Sequence, residues 1–222
     1  MKIEFTTADD IALEFPPEPV KLHLPSWYKE TPLKRFDDTD AISQQNGATP
    51  LTVRSCIPVR DYLTSGYVIR NDVDRVIQVM DDGGYVTHAQ HNQMSFHPHD
   101  QCPVHIKEKK RHYFKFMNPW MIRTPKNYSC LFYQPEYFFE ERYKLLPAIV
   151  DTDKHTNPVN FIGTAFESFV LKAGTPLMVV FPFKRDEWTA SVEQKEFKLD
   201  KRFVIYLKGA YKKFFHSKKS YR

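Results

Sequence analysis

Histidines are concentrated in one stretch of this sequence, HAQHNQMSFHPHDQCPVH, which runs from His88 to His105. His97 and His99 form an HxH pair, and on a strand an i, i+2 pair points to one face. With His105 they are candidate ligands for zinc or iron, which need three or four ligands at about 2 Å. The cupin-type pattern needs a glutamate about four residues after the HxH pair, whereas the nearest one, Glu108, lies nine residues beyond His99, so that pattern is incomplete. We therefore expect a polar hairpin, with metal binding as the alternative.

A second candidate polar site consists of Asp151 and Asp153, which follow the run LLPAIV. Two carboxylates on one strand face could bind Mg²⁺ or orient a water molecule. The structural alternative is a strand that ends in an Asx-type turn, which Asn157 followed by Pro158 favours. No glycine-rich phosphate-binding loop accompanies the pair, so the sequence predicts no complete catalytic set here.

Nucleophilic catalysis has less support in this sequence. There is no GxSxG motif, and Cys102 near His105 has no identifiable orienting partner. Cys56, Cys102 and Cys130 are odd in number and form no CxxC pair, which is typical of a reducing compartment without structural disulfides.

Composition indicates a globular β-rich protein rather than a disordered chain. The 222 residues are 41% hydrophobic and 15% aromatic, with seven glycines and sixteen prolines, which suits strands joined by proline-stiffened connections. The N-terminal residues lack the apolar run of a signal peptide, and no stretch approaches the roughly twenty apolar residues of a membrane helix. We expect the cytoplasm as its location, and no membrane association.

Strand-like runs recur at short intervals with Pro, Asn or Gly between them, as in a sandwich or barrel. The sequence predicts a mainly antiparallel β protein, sandwich or jelly-roll-like, with a short helix at 58–65. We divide it into an acidic, Pro-rich arm (1–50), a β-sandwich body (51–200) and a basic amphipathic helix with a tail (201–222). The predicted strands are 2–6, 20–24, 51–55, 66–70, 75–80, 113–116, 120–124, 128–134, 169–173 and 176–183.

The C-terminal region changes both period and charge. Phe203, Leu207, Tyr211 and Phe214 recur at helical spacing, with lysines opposite them. Residues 195–222 carry a net charge of +8, whereas the rest of the chain carries −3. Nucleic acid is therefore a candidate partner only through this tail, and a solvated helix face is the alternative.

Aromatic side chains exceed what a core of this size requires, and several lie in a Pro-bounded, loop-like stretch. Aromatic residues are common anchors of protein interfaces. The candidate interface residues are Tyr133, Tyr137, Phe138 and Phe139.

Three blocks, NPWMIRTPKNYSCLFYQP, AIVDTD and LKAGTPLMVVFPFKRDEW, resemble an uncharacterised protein family of tailed phages, found in marine and cyanobacterial phages. The resemblance covers roughly residues 51–190, and also includes His97, Pro98 and Gln101. Family members often have Gly where this chain has Asn127. The resemblance implies a phage-encoded protein without assigning an activity.

AIVDTD and Gly174 are also similar to the central motif and the following block of trimeric dUTPases. Those enzymes have an aromatic ring where this chain has Lys154, together with an RSG-type phosphate motif and a Gly-rich C-terminal arm that this chain lacks. The similarity therefore implies related β architecture rather than the same activity.

These observations favour a non-enzymatic phage accessory or virion-associated protein that acts by self-assembly or by binding a phage or host protein, without a cofactor. The alternative is a metal-dependent or nucleotide-directed enzyme with its site at His97 and His99 or at Asp151 and Asp153.

Overall fold

A computed structural model describes residues 1–34, 51–81, 85–89, 94–96, 113–196 and 211–222. It confirms a mainly β, antiparallel fold, because every strand pairing in it is antiparallel. The strands are β1 (Glu4–Thr6), β2 (Glu18–Pro19), β3 (Tyr67–Arg70), β4 (Arg75–Val79), β5 (Tyr85–Ala89), β6 (Ser95–Phe96), β7 (Phe114–Phe116), β8 (Met121–Arg123), β9 (Tyr128–Tyr133), β10 (Tyr143–Leu145), β11 (Ala148–Val150), β12 (Phe161–Ala165), β13 (Phe169–Leu171) and β14 (Pro176–Lys184).

The helical elements of the described residues are short. The α-helices among them are α1 (Ser26–Glu30) and α2 (Ile57–Thr64), and a π-helical turn spans Tyr211–Phe215. The 3-10 turns are Ala12–Glu14, Val20–His23, Val53–Ser55 and Glu136–Phe138.

Contacts divide the described chain into two units. Unit 1 comprises Met1–His23 and Gly66–Arg185, and unit 2 comprises Leu24–Ser65 and Asp186–Arg222. The division into residues 1–50, 51–200 and 201–222 follows from composition and stays a prediction. Among the described residues, no helix is long and apolar enough to cross a membrane.

The largest sheet of unit 1 has the strand order β11-β9-β14-β3-β2. The nine-residue β14 forms its centre and pairs with both β9 and β3. Two further sheets have the orders β10-β12-β7-β6 and β13-β4-β5, and β1 pairs with β8. The first residues of the chain therefore add strands to the sheets of unit 1.

One hydrophobic cluster joins side chains from all three larger sheets, as in a sandwich. It includes Ile77 of β4, Phe114 of β7, Phe132 of β9 and Val180 of β14, each at most 1% exposed. Burial of such a side chain contributes roughly 1.5–3 kcal/mol, so these strands are held mainly by their inward faces.

A buried polar network fixes the turn between β3 and β4. The Arg75 guanidinium donates to Asp72 Oδ1 at 2.5 Å and to Asn71 Oδ1 at 2.8 Å. The side chains of Arg75 and Asp72 are only 3% and 6% exposed. Asn71 Nδ2 in turn donates to the carbonyls of Leu171, the last residue of β13, and of Lys172, the residue after it. The network thus ties two connections of unit 1 together.

In unit 2, Arg54 organises the short helices. Its Nη1 donates to the carbonyls of Lys29 and Thr31, both at 2.8 Å, at the end of α1. Helix α2 begins with Pro58 in its first turn, where the missing N–H has no intrahelical partner to lose. It ends at Thr64, and Gly66 follows with a φ of +89°.

Candidate functional site

Asp151 lies at the end of edge strand β11, beside β9. The register pairs Val150 with Cys130, so Ser129 is the next neighbour of Asp151. Ser129 Oγ donates to Asp151 Oδ1 at 2.7 Å. The Asp151 carbonyl accepts from the backbone N–H groups of Lys154 and His155, at 2.9 and 2.8 Å. Asp151 therefore ends a strand and begins a turn.

Asp153 lies in that turn, and its side chain is only 4% exposed. Its Oδ2 accepts from the backbone N–H of Asn127 at 2.9 Å. Asn127 has a φ of 68°, a left-handed conformation that Asn tolerates better than most residues. The Asn127 side chain is not used in this contact, so a glycine at this position could make the same contact.

Arg185, the residue after β14, binds both carboxylates. Its Nη1 and Nη2 donate to Asp153 Oδ1 and Oδ2 at 2.8 and 2.5 Å, a bidentate pair. Nη1 also lies 3.0 Å from both Asp151 Oδ1 and Ser129 Oγ. One guanidinium therefore ties β9, β11 and β14 at the same end of the sheet.

These contacts favour the ionised form of both acids. Hydrogen bonds from Arg185, opposed by desolvation, lower the pKa of Asp153 to about 2. The pKa of Asp151 is also lowered, first by the hydrogen bond from Ser129. Neither group is therefore a general acid near neutral pH. The Asp151 side chain is 50% exposed, which leaves it the more accessible of the two.

Hydroxyl and thiol groups form a layer beneath this cluster. Thr124 Oγ1 and Thr152 Oγ1 lie 2.8 Å apart, and Thr152 Oγ1 donates to Cys130 Sγ at 3.3 Å. Burial raises the pKa of the Cys130 thiol to about 11. The thiol stays protonated at neutral pH, so Cys130 is a packing residue and not a nucleophile.

The histidine segment is described only in part. His88 is exposed on β5 opposite Val76, whereas His97, His99, His105 and Cys102 lie outside the described residues. Among the described residues, no group of three His, Cys, Asp or Glu side chains could hold a metal ion. The metal hypothesis for His97, His99 and His105 stays a prediction.

A cleft of about 1050 Å³ lies elsewhere in unit 1 and includes neither Asp151 nor Asp153. Two of its acidic lining residues, Asp72 and Asp74, are paired with Arg75 and Lys172. These cations neutralise most of the negative charge that the lining would otherwise present.

The four predicted interface residues differ in exposure. Tyr133 is half-buried against a small cluster that contains Val20 and Val68, and Tyr137 and Phe138 are also half-buried. The Phe139 side chain is 65% exposed, and its ring meets that of Tyr137 edge-on, with centroids 6.4 Å apart. Of the four, Phe139 projects furthest into solvent.

Phe139 also has an unusual backbone conformation, with a φ of 53° and a ψ of 42°. Its N–H closes the preceding 3-10 turn on the Glu136 carbonyl at 3.0 Å. On the other side, Arg142 forms a bidentate pair with Glu140, at 2.8 and 2.6 Å, and lies 5.0 Å from the centroid of the Phe169 ring. The backbone before and after Phe139 is therefore held in place.

Sequence reasoning missed two residues near these sites. Arg185 belongs to the PFKRDEW block, but only its contact with Asp153 reveals its role. Ile149 of β11 is 65% exposed and shares one sheet face with Leu131 and Phe181 through the strand register. The run AIV gave no sign that its central residue faces solvent.

The fold and these clusters define a mainly antiparallel β protein with an arginine–carboxylate cluster at one end of its largest sheet. No family model matches the chain, and no curated protein matches it. Among solved structures, it is similar to a mutant dUTPase of Staphylococcus bacteriophage 80alpha with dUpNHpp. The TM-score is 0.40 and the identity 10%, over 90% of this chain and 93% of that chain. At these values the similarity carries no argument about activity.

Proposed function

We propose that the protein acts by self-assembly rather than by catalysis, as an accessory or virion-associated protein of a phage. The interface would consist of Phe139, Leu146 and Ile149. These side chains are 65%, 42% and 65% exposed. The observation that carries the proposal is the exposed Phe139 ring on a left-handed backbone.

The backbone of Phe139 is unfavourable for a bulky L-residue. Left-handed conformations cost roughly 1–2 kcal/mol per residue, which Gly or Asn would reduce. Nothing in the core requires an aromatic ring there, since the side chain points mainly to solvent. Backbone outliers of this kind cluster at functional sites, and interface binding is one reason to retain an aromatic residue in such a position.

The loop around Phe139 is also arranged in advance of binding. The Glu136 turn and the bidentate Glu140–Arg142 pair hold the backbone on both sides of the ring. An anchor that is already fixed loses less conformational entropy when a partner binds. This preorganisation favours a docking role over that of an unstructured surface loop.

Strand β11 supports a second copy of the chain as the partner. It is the edge of its sheet, with β9 as its neighbour on one side. Antiparallel pairing of β11 with β11 of a second copy would place the Ile149 side chains of the two copies opposite each other, as two-fold symmetry requires. Edge strands with exposed apolar side chains are surfaces on which such pairing occurs.

The Asp151–Asp153 cluster supports assembly over the enzyme alternative. Arg185 binds both carboxylates, and the low pKa of Asp153 makes it a weak base. The cluster instead fixes the loop that follows β11, so it stabilises the shape of the edge strand that the proposed interface uses.

Sedimentation velocity of the whole protein at micromolar concentrations tests this proposal. We expect a defined oligomer, and the Phe139→Ser, Ile149→Thr double variant should weaken self-association at least about tenfold, as loss of central interface anchors does. The matched control is Val170→Thr, which changes an exposed side chain on another edge strand, β13, and should leave the oligomer intact.

A strict monomer would overturn the proposal. So would an oligomer that the double variant leaves unchanged while its thermal midpoint shows that it is folded. Turnover of a nucleoside triphosphate that Asp151→Asn abolishes would favour the enzyme alternative.

A further inference from the structure

We propose that residues 211–222, hereafter the basic tail, bind single-stranded nucleic acid. The tail belongs to unit 2, and the inference does not depend on the assembly proposed above. It rests on three features of the tail: its charge, its exposed aromatic rings and its attachment to helix α2.

The charge of the basic tail has one sign. It contains Lys212, Lys213, Lys218, Lys219 and Arg222, and no acidic residue. All five of these cationic residues are exposed. Neutralising phosphates with lysine and arginine releases counterions, which supplies most of the affinity for nucleic acid without sequence specificity.

Aromatic rings lie between these cations. Tyr211 and Phe215 are 39% and 42% exposed. Lys213 Nζ lies 5.2 Å from the centroid of the Phe214 ring, and the Phe214 and Phe215 rings meet edge-on at 6.3 Å. Exposed rings beside cations are the arrangement on which unpaired bases stack while phosphates bind alongside. A duplex keeps its bases stacked internally, so the rings favour single strands.

Asp61 of helix α2 holds the tail at two points. His216 Nε2 lies 3.0 Å from Asp61 Oδ2, and Lys219 Nζ donates to the same oxygen at 2.7 Å. The side chains of His216 and Asp61 are only 9% and 14% exposed. A tail fixed in this way presents Lys212 and Lys218 from a defined backbone, which lowers the entropy lost on binding.

The ion pair between Asp61 and Lys219 persists at neutral pH. Burial alone would raise the pKa of Asp61, but hydrogen bonds and charges from Lys219 and His216 outweigh it and lower the pKa. Asp61 is therefore ionised at neutral pH and holds Lys219 in place.

Fluorescence anisotropy with the whole protein and labelled oligo(dT), oligo(U) and a DNA duplex tests the inference. We expect binding to both single strands, with weaker binding to the duplex. A plot of log affinity against log salt has a negative slope. In a Lys212→Gln, Lys218→Gln variant, the magnitude of this slope should decrease by about 0.7 for each lysine removed. Phe215→Ala should weaken single-strand binding roughly tenfold and duplex binding less.

Two controls separate the basic tail from other surfaces. Lys144→Gln removes an exposed lysine on β10 of unit 1 and should leave binding unchanged. The Phe139→Ser, Ile149→Thr variant should bind oligo(dT) like the wild type, whatever its oligomeric state.

Three outcomes would overturn the inference: no binding to either oligonucleotide at low salt, binding that Phe215→Ala leaves unchanged, or binding to phosphatidylserine vesicles without binding to oligonucleotides. Failure of self-assembly in sedimentation would leave this inference standing, because different residues carry it.

Discussion

Two arginine clusters in unit 1 each hold a turn in place, but one is buried and the other is partly exposed to solvent. Arg75 joins Asp72 and Asn71 where the side chains are almost fully buried. Arg185 joins Asp151 and Asp153 where its own side chain is 27% exposed and that of Asp151 is 50% exposed. Each cluster ties a turn after one strand to a second element of the fold.

The difference lies in what happens when one partner is removed. In the Arg75 cluster, a lost cation leaves a carboxylate and an amide without solvent to replace it. In the Arg185 cluster, water can reach Asp151 and salt can screen the pair. Burial, and not the number of hydrogen bonds, therefore decides how much each cluster contributes to stability.

The largest expected effect is that of Arg75→Met. The change removes one partner of a buried ion pair, which typically destabilises a protein by about 3–5 kcal/mol. Urea unfolding measures it. Adding Asp72→Asn to this variant should recover part of the loss, since the uncompensated charge would be gone. If the second change makes the loss larger, the charge is not its cause.

Acid should act mainly on the Arg185 cluster. The folded pKa of Asp153 is about 2, below its ordinary value of 3.8. Its contribution to stability is therefore complete above about pH 4 and is lost as the pH falls towards 2. Thermal midpoints across this range should decline less steeply in Arg185→Gln than in the wild type. Parallel curves for the two proteins would contradict the assignment.

The smallest effect should come from Asn127→Gly. The contact with Asp153 uses the backbone N–H of Asn127, and glycine adopts its φ of 68° more readily. We expect unchanged or slightly raised stability, by less than about 1 kcal/mol. Asn127→Val should instead destabilise the protein, because a β-branched residue is disfavoured at positive φ. Differential scanning calorimetry of both variants measures these changes in stability relative to the wild type.

The strands were the most predictable part of the fold. Runs such as 128–134 and 176–183 correspond to β9 and β14 within a residue or two, because alternating and aromatic-rich segments between Pro or Gly are strong signals. The runs at 20–24 and 51–55, predicted as strands, contain 3-10 turns instead. Short apolar runs do not distinguish these conformations, and tertiary contacts decide between them.

The C-terminal helix was predicted from four residues, and two of them, Phe203 and Leu207, lie outside the described residues. Tyr211 and Phe214 fall in a π-helical turn of five residues. The extent of the predicted amphipathic helix therefore stays a prediction.

The candidate sites were less predictable than the strands. The pair of Asp151 and Asp153 was visible in the sequence, but its partner Arg185 is 32 residues beyond Asp153 and comes near only through the register of β9 and β14. Asp61 meets His216 across 155 positions. Contacts of this kind depend on strand order and on the path of the chain, which no local pattern records.

The left-handed Phe139 has a consequence for comparing relatives of this protein. Random substitution under selection for folding alone would favour Gly or Asn at such a position, because both relieve the backbone. Under the proposed assembly, a lineage that retains an aromatic residue there is under a further constraint, and one that has drifted to Gly has lost it. If the proposed assembly holds, the identity of this single residue would separate newly sequenced relatives that assemble from those that do not.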